Sequence, residues 1–187
     1  SHNPNDPHYN QLRDSVLAAH KVTKTADLPF NYSGFIMREG EKISSQLYQK
    51  HLKDLVAIYQ SQNSVTKYSS FINPFTAIKE LSICVAGTDF TSYLNFQDQA
   101  DAYRYSLAQT MNELQMEFIS PKRESGSEGK KHVIGHEHWE DFADFVHQPM
   151  SLSRSLASAD FALFSLLFWV FVVLGILNTT AKTATAL

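Results

Sequence analysis

The chain has 187 residues, long enough for one domain of ordinary size with a real core. Charged residues make up 19% and the formal net charge is -3, so no basic stripe of the kind nucleic acid selects is present. A single cysteine, Cys84, excludes an internal disulfide framework. The mean hydropathy of -0.25 hides an asymmetry: residues 1–155 have a soluble composition, and the apolar excess sits in one block near the end.

The opening Ser1–Pro7 is polar, without periodicity, methionine or a signal peptide, and reads as the start of a fragment of a longer protein. Asp6-Pro7 predicts an N-cap followed by proline in the first turn, and Leu12, Val16, Leu17 and Ala19 continue as a short amphipathic helix fading near Val22. Asp27–Gly34 predicts a loop by its turn residues. A longer helix is expected from about Glu39 to Gln62, with Ile43, Leu47, Leu52, Leu55, Val56 and Tyr59 on one face.

Asn73-Pro74 predicts a capped helix start, Phe75, Ile78, Leu81 and Val85 its apolar face, and Gly87 its left-handed stop. Cys84 falls in that apolar pattern and reads as a buried inert thiol. Thr88-Asp89 then caps the next helix, making a tight helix–helix corner. Beyond it Ala100, Tyr103, Leu107, Met111, Leu114 and Phe118 recur at near-heptad steps, which predicts a long helix packed lengthwise on a neighbour. Pro121, Gly126, Gly129 and clustered charges make Ser120–Gly135 a loop. Trp139–Pro149 is short and aromatic, and Met150, Leu152 and Leu156 lead weakly amphipathically into the last segment.

That segment, Phe161–Leu177, carries no charge, and its only polar side chain besides the Trp169 indole is Ser165. As a helix it covers about 25 Å, near the lower limit for crossing a bilayer, and small flanking residues extend it. It is apolar all round and ends in a polar exit with Lys182, so a spanning helix is expected over a buried soluble one. Phe161, Phe164, Phe168 and Phe171 form one stripe, and Trp169 lies mid-block although tryptophan favours bilayer interfaces. Packing against other membrane helices and simple lipid exposure both account for that pattern.

His132, His136 and His138 are the candidate metal ligands, accompanied by Glu137 and His147, since zinc accepts imidazole and carboxylate donors. Their spacing does not match two histidines one helical turn apart, and solvated or capping histidines are the plainer reading. No glycine-rich phosphate loop and no Gly-x-Ser-x-Gly elbow occurs. Glu113 and Glu117 read as a solvated helix face. No catalytic residue and no cofactor is therefore expected.

The run Asn73–Ser82, then Ala86-Gly87-Thr88-Asp89-Phe90, then Tyr103-Arg104, resembles the C-terminal part of ABC-2 type transporter permeases, in a branch whose shared region is a domain of unknown function. Asp27–Gly34, with Pro29 and Gly34, looks like that branch's leucine-proline-aliphatic-asparagine-aromatic-x-glycine segment. Trp139-Glu140 and Phe145-x-x-x-Pro149 resemble its tryptophan-glutamate and closing aromatic-proline elements. His147 and Ala143 depart from it, standing where the branch tends to have tyrosine and proline. The motif residues are thus Pro29, Gly34, Pro74, Gly87, Thr88, Asp89, Tyr103, Arg104, Trp139 and Pro149, each with a structural role.

The expected architecture is mainly α. It comprises a bundle of long packed helices over 1–155 outside the cytoplasm, a transmembrane helix over 156–181 and a short tail over 182–187. The resemblance implies a non-catalytic permease subunit, multi-pass in the full protein, in the inner (cytoplasmic) membrane with residues 1–155 periplasmic. Its implied partners are a cytoplasmic ABC ATPase subunit that hydrolyses ATP, a second permease subunit and the lipid bilayer. The alternative is a tail-anchored extracytoplasmic interaction domain with no transport role.

Overall fold

The computed structural model describes residues 6–119, 134–138, 140 and 142–184. The protein is mainly α: long packed helices precede one long apolar C-terminal helix, and no strand occurs among the described residues. The helices are α1 (Pro7–His20), α2 (Tyr32–Ser69), α3 (Pro74–Val85), α4 (Phe90–Phe118), α5 (Leu152–Ser158) and α6 (Asp160–Ala184). Short 3-10 turns occupy Thr25–Asp27 and His136–His138. The chain forms two compact units, one from Ser1–Gln49 with Ala102–Phe145 and the other from Lys50–Asp101 with Val146–Leu187, so α2 and α4 each contribute to both.

The helix starts follow side-chain chemistry. Asp6 accepts from the His8 amide at 2.9 Å and Asn73 from the Phe75 amide at 3.0 Å, each just before a proline in the first turn. Two helix ends carry the paired bonds of a Schellman stop. The Thr88 amide reaches the Ile83 carbonyl while the Gly87 amide reaches that of Cys84, with Gly87 at φ 67°. At the end of α1 the Val22 and Lys21 amides reach Leu17 and Ala18, and here the left-handed residue is Lys21, at φ 57°.

α2 is longer than expected at both ends. Asn31 caps its first turn by accepting from the Ser33 and Gly34 amides at 2.9 and 3.2 Å, so the helix begins inside the stretch that its turn residues marked as loop. At the other end no breaker follows Gln62, and the helix continues to Ser69.

In the first unit, α2 and α4 run antiparallel along a polar seam. Gly34 faces Met116 and Asn112, the Gln109 Nε2 donates to the Arg38 carbonyl at 3.2 Å, and Arg104 pairs with Glu41 at 2.7 Å. Of the near-heptad apolar stripe of α4, Tyr103, Leu107 and Leu114 are half-buried, whereas Met111 and Phe118 are about half exposed. In the second unit, α6 packs on α3 and α5, with Ala77, Cys84, Ser155, Ala159, Ala162 and Ser165 buried.

Candidate functional site

Small side chains let helix backbones approach closely, and the second unit uses them where α5 and α6 meet α3. Ser155, Ser158, Ala162 and Ser165 recur at steps of three and four, opposite Ala77 and Cys84. The hydroxyl of Ser165 is fully buried and has no hydrogen-bond partner among the described residues. Beside this seam the turn between α2 and α3 is clamped by aromatic rings. Phe71 meets Phe161 and Phe168 edge-on at centroid distances of 5.2 and 5.5 Å, Tyr68 meets Phe161 at 5.3 Å, and the Trp169 Nε1 donates to the Ser70 carbonyl at 3.2 Å.

The predicted phenylalanine stripe is therefore divided. Phe161 and Phe168 engage the protein's own corner, whereas Phe164 and Phe171 are two-thirds exposed. Most of α6 is uncovered, including Val170, Val173, Leu174, Ile176 and Leu177. Asp160–Thr183 is long and apolar enough to cross a membrane, and only 11% of its apolar window is buried, unlike the core helix of a water-soluble protein.

A cavity of about 750 Å³ opens on the other side of α3, lined by Ser64, Lys67, Phe75, Lys79, Glu80 and Asp89 among others. Asp89 is committed to its helix start: its carboxylate accepts from the Thr91 and Ser92 amides at 3.1 and 3.3 Å and from the Ser92 hydroxyl. Burial pushes the Cys84 thiol above its ordinary range. Ser158 opposes the shift, Asp89 and Glu80 add to it, and Lys67 opposes it. A thiol held protonated in this way is a packing residue rather than a nucleophile.

The family-motif residues serve local geometry. Pro29 is exposed in the turn before α2, and Gly34 is buried where a Cβ would come within 2.9 Å of the Met116 backbone nitrogen. Pro74, Gly87, Thr88 and Asp89 make the stops and starts described above. Tyr103 packs on Phe145 at 5.5 Å, and Arg104 holds Glu41. Pro149 lines a small cavity of about 220 Å³ with Gly87 and His147, and His147 meets Phe96 at 5.3 Å. The strand-free Phe142–Met150 segment is tied down by Gln148, whose amide donates to Gln99 Oε1 and whose carbonyl accepts from Asn95 and Gln99. His132 and Trp139 lie outside the described residues.

His136 is exposed and pairs with Glu140 at 3.4 Å, while the His138 ring lies tilted against Phe118 at 4.3 Å. Among the described residues no group of three or more histidine, cysteine, aspartate or glutamate side chains is arranged to hold a metal. Sequence reading did not single out Ser70, Ser155, Ser158 or Gln148. The three-and-four spacing of small residues ahead of the apolar block was the available signal for the seam.

A family model described as a domain of unknown function (DUF3526) matches residues 1–162, and the chain belongs to that family. No curated protein and no solved structure matches the chain.

Proposed function

We propose that the chain is the extracytoplasmic portion and last membrane helix of an ABC-2 type permease subunit. It would take part in ATP-driven transport with a separate cytoplasmic ATPase subunit, as one of a pair of permease subunits. The full protein is then multi-pass in the inner membrane, with the bulk of the helices before α6 on the periplasmic side, and it hydrolyses nothing itself.

One observation carries this reading beyond a simple tether. α6 is joined to α5 by Ala159 alone and is packed along α3, with Trp169 bonded to the α2–α3 turn. A helix held this way hands any displacement within the membrane directly to α3, which is how mechanical coupling to an ATPase would leave the bilayer. A tail anchor needs no such seam.

Co-purification from native membranes in mild detergent tests the proposal. Recovery of the full-length protein with an ATP-hydrolysing subunit is expected. Repeated isolation without one, in cells that contain the ATPase, overturns it in favour of the interaction-domain alternative.

A further inference from the structure

Between Asp160 and Lys182 α6 carries no charge, an interval of about 31 Å that matches the hydrocarbon thickness of a bilayer. Trp169 lies about 13 Å along it from Asp160, and the α2–α3 turn is fastened at that level through Ser70, with Phe71 on Phe168. Beyond the turn the uncharged helix continues only over Val170–Ala181, about 18 Å, too short to span unaided. If α6 crosses the membrane, the turn must enter it too.

Resting on that reading of α6, we infer that the α2–α3 turn, Tyr68–Phe75, is a membrane-inserted wedge whose outer face contacts lipid acyl chains. Its side chains suit hydrocarbon: Ile72 is 83% exposed, and Tyr68 is also exposed. Its backbone suits hydrocarbon as well, where an unpaired polar group is costly. The amides of Ser70, Phe71, Ile72 and Asn73 donate to Lys67, Tyr68 and Ser69 carbonyls, and the Ser70 hydroxyl bonds the Lys67 carbonyl. The Asn73 side chain caps α3, and the Ser70 carbonyl takes the indole N–H.

The nearest charges, Lys67 and Lys79, line the open cavity beside α3, where long stems can keep their ammonium groups in water. The same arrangement accounts for a tryptophan away from the interface, because its polar edge is satisfied within the protein.

Spin labels report this directly. The chain carrying Cys84→Ala and one of Ile72→Cys, Val173→Cys or Ser61→Cys is nitroxide-labelled and reconstituted into phosphatidylcholine–phosphatidylglycerol vesicles. Collisional access to oxygen and to a water-soluble nickel chelate is then measured. The wedge predicts that Ile72 resembles Val173, with oxygen access exceeding nickel access several-fold, while Ser61 shows the reverse. Nickel access at Ile72 with an oxygen-dominated Val173 overturns the wedge and leaves the spanning helix standing. Nickel access at both sites overturns the two together. Low access to both reagents at Ile72 means that protein covers it, and also overturns the wedge.

Discussion

The indole Nε1 of Trp169 donates to the backbone carbonyl of Ser70, joining the apolar C-terminal helix to the turn between α2 and α3 at 3.2 Å. Ser70 is buried, so its carbonyl has little water to fall back on. Trp169→Phe keeps an aromatic ring and deletes the donor. The expected cost is about 1–2 kcal/mol of stability, the penalty for a buried acceptor losing its partner. Thermal unfolding of the purified protein in detergent reads it, and an unchanged midpoint would mean that the bond contributes nothing.

Ser165 poses the opposite problem. Its hydroxyl is buried without a partner among the described residues, so Ser165→Ala should stabilise by about 1 kcal/mol by removing an uncompensated polar group. Ser165→Leu at the same point should destabilise by about 1–3 kcal/mol, because a seam of small residues has no room for added methylenes. Opposite shifts in the two unfolding midpoints test both at once; a loss of stability in the alanine variant would reveal a hidden partner for the hydroxyl.

Local signals were legible in the sequence wherever one residue type has one physical use. Asp6, Asn73, Pro7, Pro74 and Gly87 mark helix starts and a stop, and all five sit where their chemistry requires. The apolar block was equally plain. Gly34 misled, because a glycine beside Pro29 and Asn31 reads as turn punctuation, whereas its use is a close helix approach visible only once α4 is placed. The contacts from α4 to α2 seen at Arg104, Gln109, Asn112 and Met116 include ion-pair and amide groups that carry no periodic hydrophobic signature. The clamp at Ser70 and Phe71 joins segments about a hundred residues apart in sequence, and no local pattern encodes such a pairing.

Gly34→Ala follows from that close approach. The new methyl would sit 2.9 Å from both the Met116 backbone nitrogen and its Cγ, and 3.0 Å from the Asn112 carbonyl oxygen. A flexible side chain can yield but a backbone nitrogen cannot, so a loss of about 1–3 kcal/mol is expected. Asn31→Ala removes the cap of the same helix turn and a bond to the Ile119 carbonyl, costing about 1–2 kcal/mol. Because both act on the α2 start, the double variant should deviate from additivity in chemical denaturation. Full additivity would mean that the cap and the close approach are independent.

Lys21 holds a left-handed conformation, at φ 57°, that glycine adopts without steric cost. Lys21→Gly should therefore stabilise the end of α1 by about 0.5–1 kcal/mol, provided the Lys21 and Val22 amide bonds persist. Slower amide exchange in the last turn of α1 would register the gain; faster exchange would contradict it.

Cys84 links packing to pH. Burial raises its thiol pKa in the folded protein, whereas the unfolded chain titrates near the ordinary thiol value of about 8.5. Below that value the thiol is protonated in both states, and its full contribution to stability is present. As pH rises beyond it, the unfolded chain ionises first and unfolding releases a proton, so stability falls until the folded thiol titrates as well. Cys84→Ala removes this term, so the difference in stability between the native protein and the variant should shrink from neutral to alkaline pH. The native thiol should also resist iodoacetamide at neutral pH and react once the protein is denatured, as expected of a thiol with little thiolate and little access. Rapid alkylation of the folded protein would mean that the α3–α5 contact opens at Cys84.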